Sequence, residues 1–372
     1  MRSGIAALAA AIALGACSSS GGPQPTELSD IPQARSVRVL WSAQVGHGEE
    51  YFFEPAFSGD AVYAAGRAGA VVRFEAATGR EIWRVAIEDR LSTGVSTDGK
   101  LVLVANEKGD VFALQAIDGA LRWRAKVTSE VLAPPAPAGD VVLVRSADNR
   151  VFAFGAEDGK RRWIYQQPSA SLMVRGPLGI AVDGDTAYVG FPAGKLIALA
   201  IATGSVRWEA TVATPRGATE LERVTDVLGK PAVTAREVYA AAYQGRVACY
   251  DAQNGNQLWV RDIPGASGVS LDARYAYVVD EKGAVHALDR SNGRSMWKQD
   301  RLAYRLPSLP TPVGNEIVVG DFDGYVHFLN RETGAFVARF ENDYGAIRVA
   351  PLALPRGVLV QTESGVLYAL SL

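Results

Sequence analysis

A phrase of 17 residues recurs along this chain and limits its fold more than any other feature. The clearest copy, Val111 to Val127, reads strand, tight turn, strand. Val111 to Leu114 is a short apolar run, and Asp118-Gly119 is a hairpin signal because Gly accepts positive φ without a Cβ clash. Trp123 follows that Gly by 4 residues. Further copies carry Gly79 with Trp83, Gly159 with Trp163, Gly204 with Trp208, Gly255 with Trp259 and Gly293 with Trp297. A last copy keeps Gly334 but has Ala338 in the Trp position. The Gly-to-Gly steps are 40, 40, 45, 51, 38 and 41 residues. A period near 40 with several short strands per unit is the pattern of propeller blades.

The two ends supply an eighth unit. Val366 to Leu370 is a strand with no turn and no Trp strand after it, while Val37 to Val45 holds Trp41 with no strand before it. Pairing them closes the ring and removes two free sheet edges. The fold expected is all-β: an eight-bladed propeller over 36–372, four antiparallel strands per blade, with the last blade completed by the N-terminal strand. In the second unit the strands fall at Gly94–Thr97, Leu101–Ala105, Val111–Leu114 and around Trp123. The seven Trp residues then share one repeat position, as core packing between blades.

The N-terminus stands outside this pattern. Arg2 precedes an apolar run from Ile5 to Leu14, too short to span a bilayer, so 1–16 reads as a secretory signal peptide. Leu14-Gly15-Ala16-Cys17 resembles the bacterial lipobox, which implies a lipid on Cys17. Ser18 follows where an Asp would retain such proteins at the inner membrane, which implies the outer membrane, facing the periplasm. Residues 17–35 then form a lipidated, Ser-, Gly- and Pro-rich tether. Cys249 is the one remaining thiol, expected to be buried and unreactive. A net charge of −2 gives no general attraction to nucleic acid.

Two connections account for the long steps of 45 and 51 residues: 166–179 and 214–229. Each joins the last strand of one blade to the first of the next, so both emerge side by side on one face. Long loops on a rigid scaffold are where function sits. The first holds Leu172, Met173, Val174 and Arg175; the second holds Glu220, Glu222, Arg223 and Asp226. An apolar patch rimmed with charge suits a protein partner. Catalytic and metal chemistry is hard to place. His286 and His327 share one repeat position, which suits strand packing better than a convergent ligand set. No phosphate-binding Gly loop precedes a helix.

The repeat Ala-Leu-x-x-x-x-Gly-x-x-x-Trp resembles that of pyrroloquinoline-quinone enzymes, although their vicinal disulfide has no counterpart here. Pro168 to Gly176, Ala218 to Val227 and Val318 to His327 resemble the BamB family, lipoproteins of the outer-membrane β-barrel assembly (BAM) machinery. That resemblance implies a non-catalytic scaffold without a cofactor, bound to the periplasmic POTRA domains of BamA and in company with the other BAM subunits. Unfolded outer-membrane proteins are further partners it suggests, taken up by β-augmentation at exposed strand edges. It places Leu172, Val174, Arg175 and Asp226 at the contact. The family's second acidic residue is replaced by Leu228. Two rival readings are a quinoprotein dehydrogenase and a glycan-binding propeller, the latter resting on Phe191, Tyr243 and Tyr304 as stacking aromatics.

Overall fold

A computed structural model describes residues 23–168, 172–215, 217–243, 245–265, 268–343 and 345–372; the signal segment and Cys17 lie outside the described residues. Among the described residues thirty-two strands form eight four-stranded antiparallel sheets. Blades 1 to 7 are each built in simple order, from 56–86 to 311–341. Blade 8 has the order Arg38–Gln44, Val366–Ser371, Gly357–Gln361, Leu352–Leu354. The short first strands line the axis, and that of blade 8 adjoins that of blade 1, so the ring closes. In blade 2 the strands are Ser96–Thr97, Leu101–Ala105, Asp110–Gln115 and Leu121–Lys126.

Burial explains the sequence pattern. Second strands such as Leu101–Ala105 and Ala61–Ala65 are buried at every residue. They lie between neighbouring blades, so both faces are apolar and the run does not alternate. Fourth strands such as Leu121–Lys126 bury only alternate residues, because their outer edge meets solvent.

The repeated Trp and Gly form one joint. Trp208 Nε1 donates to the Ala252 carbonyl of the next blade at 2.9 Å, and the same bond recurs from Trp41 to Ala76, Trp123 to Ala156 and Trp297 to Arg331. The Trp208 ring covers Gly255, where an added Cβ would sit 2.7 Å from the ring. Gly255 also has φ +73°. The turn therefore needs Gly for its conformation and for the space the Trp occupies. Opposite the Trp, within its own sheet, stands a small residue in every Trp blade but blade 1, where Arg73 faces Trp83: Ala198 faces Trp208 and Cys249 faces Trp259. This explains the lone thiol, whose pKa burial pushes up to about 12. Blade 7 inverts the pair, with Phe328 facing Ala338. Blade 8 has no turn to receive a Trp there, since its third and fourth strands come from opposite chain ends. Val37 and Leu372 pack into that joint instead.

Residues 26–35, expected as tether, are pinned to blades 6 and 7. Thr26 N–H donates to Ala303, Arg339 Nη1 donates to Ser29, and Arg35 N–H donates to Val337. Leu28 packs on the blade 6–7 core. This strap runs from the face bearing the long loops, at Ala303, down the outer edge of blade 7. Its latching arginines rest on a buried network. Asp321 accepts from Arg305 Nε at 2.6 Å and from His327 Nε2 at 3.0 Å. Arg339 Nε donates to His327 Nδ1 at 3.3 Å, which fixes the neutral tautomer with its proton on Nε2. Burial lowers the His327 pKa, the hydrogen bond to Asp321 opposes that shift, and the balance stays below the usual imidazole value.

Two outcomes follow from these packings. Trp208→Ala should cost about 3–5 kcal/mol in denaturant unfolding. Gly255→Ala should be destabilising alone, yet nearly silent beside Trp208→Ala apart from the cost of positive φ, about 1–2 kcal/mol. Additive losses would show that ring and Gly do not share the joint. For His327 the folded protein binds fewer protons than the unfolded chain. Its contribution is therefore complete above about pH 6.5, the unfolded value, and is lost as pH falls through the lower folded pKa. His327→Gln should be less stable than wild type at pH 7.5, with a flatter decline between pH 7 and 5.5. An unchanged slope assigns the decline to another group.

Candidate functional site

The two long connections leave blade 3 after Arg161–Gln166 and blade 4 after Val206–Thr211. They lie on the same face, over adjacent blades, and one carboxylate joins them. Asp226 Oδ2 accepts the Val174 N–H at 2.7 Å and Oδ1 accepts the Ala193 N–H at 3.3 Å. Asp226 is 2% exposed. Burial raises its pKa, and the two N–H bonds pull the other way. Asp226 is thus a staple beneath the first loop. It does not present its carboxylate at the surface, and it does not pair with Arg175.

Arg175 is held by a residue that the sequence reading missed. Its Nε and Nη2 donate to the two carboxylate oxygens of Glu130 at 3.0 and 2.8 Å. The guanidinium also lies 5.7 Å from the Tyr51 ring. Tyr51 stacks on Arg67 at 4.2 Å and donates its hydroxyl to Glu107 at 2.6 Å. The chain of contacts from Arg175 to Glu107 thus ties together connections and turns of blades 8, 1, 2 and 3. The Arg175 side chain nevertheless remains 56% exposed. Glu130 and Tyr51 sit in ordinary-length connections, so no spacing anomaly marks them.

Leu172 is 43% exposed, whereas Met173 and Val174 are half-buried. Asn149 Nδ2 contacts Met173 Sδ at 3.0 Å. The apolar cluster therefore turns Leu172 outward and uses its neighbours to seat the loop. In the second loop Thr219-Glu220-Leu221-Glu222 is a capping box, a signal present in the sequence. Glu222 Oε2 accepts the Ala218 and Thr219 N–H groups at 2.7 and 3.1 Å, which holds its carboxyl below the usual range. Arg223 Nε donates to the Gly217 carbonyl at 3.0 Å. Glu220, Leu221 and Arg223 stay exposed as a rim. Leu228 is half-buried in the first strand of blade 5 and pairs with Ala241.

The aromatics of the glycan reading are not all available for stacking on a ligand. Phe191 is buried, with the Arg145 guanidinium 4.8 Å from its ring, and Tyr304 projects from the blade 6–7 connection. His286 and His327 each bond the Asp six positions earlier, at 2.9 and 3.0 Å. Among the described residues no three His, Cys, Asp or Glu side chains gather as a metal site.

Comparison with known proteins agrees with the ring. A family model described as outer membrane protein assembly factor BamB matches residues 33–93 and 67–299. A Bordetella pertussis protein of that description is 41% identical over 92% of this chain and 89% of its own length. A Pseudomonas aeruginosa relative is 42% identical over 98% and 97%. The crystal structure of BamB from Moraxella catarrhalis superposes with a TM-score of 0.83 at 27% identity, covering 91% of this chain and all of that one. A europium-containing methanol dehydrogenase reaches a TM-score of 0.70 at 13% identity, which shows the shared fold alone. By the family model and by the full-length identities, this chain belongs to the BamB family of outer membrane protein assembly factors.

Proposed function

We propose that the protein is a non-catalytic scaffold of the outer-membrane β-barrel assembly machinery. In this reading a lipid on Cys17 anchors it to the outer membrane, facing the periplasm. The long loops dock on the POTRA domains of BamA. The observation that carries the docking surface is the pairing of an outward Leu172 with an exposed, pre-oriented Arg175 on a loop stapled from below by Asp226. An exposed ion pair is worth about 0–1 kcal/mol, so a partner carboxylate can take the place of Glu130 at little cost. Glu220, Leu221 and Arg223 extend the patch onto the second loop. Support for a structural role comes from the buried ionisable groups, such as Asp321, His327 and Asp226, whose bonds hold turns and loops. A second role, β-augmentation of unfolded barrel proteins, draws support from the outer strands. Apart from that of blade 7, which the strap covers, these are open edges with exposed Leu40, Ile82, Leu121, Ile164 and Leu258. The quinoprotein reading is tested by the absorbance of purified protein incubated with the quinone and calcium.

Arg175→Ala should weaken binding to the POTRA domains by about 2 kcal/mol, or roughly thirtyfold, with thermal unfolding nearly unchanged. Arg301→Ala, in the blade 6–7 connection, serves as the control. Wild-type affinity in Arg175→Ala, or weakening only through unfolding, would overturn the patch. For the anchor, Cys17→Ala should leave the protein unprocessed or free in the periplasm, since stable anchoring needs more than one lipid chain. Normal maturation with full membrane retention would remove the lipid from the reading.

A further inference from the structure

Arg145 is the penultimate residue of the second strand of blade 3, Val141–Ser146, and lies beneath the first long loop. It is 6% exposed. Its Nη1 donates to the Gly190 carbonyl of blade 4, while its Nη2 has no partner among the described residues. The two other described arginines buried to this degree, Arg67 and Arg305, meet carboxylates at 2.8 and 2.6 Å. Arg145 has none within ion-pair distance among the described residues. The acid whose charge reaches it, Asp226, spends its oxygens on the Val174 and Ala193 N–H groups. A buried cation without a direct counter-ion is costly. The cost shows in the Arg145 pKa, which burial brings down to about 9 despite the charge of Asp226.

A cavity of about 160 Å³ adjoins this guanidinium. Leu132, Ala133, Val174, Leu178 and Pro192 make its walls apolar. Glu130 and Arg175 stand at its rim, where the loop face meets solvent. A cavity near 150 Å³ can admit a benzene-sized guest, far more than one water requires. An Asp or Glu side chain is no larger than that. The walls suit its methylenes, and an unused guanidinium donor suits its head, since charged N–H···O bonds to carboxylate are the strong ones. Glu130 is not the occupant, because both its oxygens are on Arg175.

We propose that this cavity receives one aspartate or glutamate side chain of the protein that docks on the two long loops, with Arg145 Nη2 as its donor. The proposal rests on the docking reading above and adds to it a second, buried contact beside the exposed Arg175.

A double-mutant cycle with the POTRA domains of BamA and the mature full-length chain tests it. Each surface Asp or Glu of those domains is changed to Asn or Gln. Binding is then measured to wild type, Arg145→Met and Arg175→Ala. One replacement should weaken binding to wild type about tenfold, yet less than about twofold to Arg145→Met. If no replacement couples to Arg145, or coupling is to Arg175 alone, the cavity is not the receptor. Arg175→Ala separates the two levels: if it binds as wild type, the docking surface falls and this site with it. If it weakens binding while Arg145 shows no coupling, only this site falls. Should Arg145→Met unfold, Ala133→Leu fills the cavity from its apolar wall and leaves the guanidinium in place. It should weaken POTRA binding about tenfold at an unchanged unfolding midpoint, and wild-type affinity in that variant would overturn the proposal.

Discussion

The whole ring depends on one contact, the Trp of each blade lying over the Gly turn of the next. No blade can bury its own faces, because its second and third strands are apolar on both sides. Burial must therefore pass from neighbour to neighbour around a closed circle. The indole suits this joint because its ring covers apolar surface while its N–H satisfies a turn carbonyl. The Gly suits it twice, once for positive φ and once for absent volume. One joint departs from the rule, between blades 7 and 8. There the receiving turn does not exist, and the chain ends fill the space. Ala338 is thus a consequence of where the circle is cut.

A ring fixed by such joints leaves the connections between blades free to vary. The two long ones use that freedom on one face, and the strap brings the N-terminal segment to the same face. Thr26 is fixed at Ala303, 9 residues after Cys17. A chain of that length spans at most about 30 Å. With a lipid on Cys17, the two long loops would stand no further than that, plus the breadth of the ring, from the membrane surface. Strap and loops would then act together, one limiting distance and the other choosing the partner.

The circle was legible because its joint repeats. Seven Trp, their Gly residues and the split eighth unit are one-dimensional signals of a periodic structure. The loops were legible as departures from that period. What each loop residue does was not. Asp226 looks like a surface acid in a charged loop, yet it lies under Val174 because the loop folds back over it. Glu130 and Tyr51 reach Arg175 from other blades, across sequence separations that no local pattern records. Composition misled for residues 26–35. A Pro- and Ser-containing stretch reads as linker, while its order comes from Arg305 and Arg339 far along the chain. Arg145 closes an apolar run like any strand-end cation, and only the packed neighbours show that, among the described residues, no carboxylate pairs with it directly.

These placements fit a division of labour in recognition. Arg175 is oriented before a partner arrives, by a two-point pair with Glu130 and by Tyr51. Less rotamer entropy is then lost on binding. The pair is exposed, so giving up Glu130 costs little, and specificity cannot rest on Arg175 alone. A buried, under-compensated Arg145 has the opposite character. Its donor is costly to leave unmet, so a partner that meets it gains more than one that only covers the surface. In the proposed docking, the exposed arginine would draw an acidic partner to the face, and the buried one would penalise every partner lacking a carboxylate at the right depth.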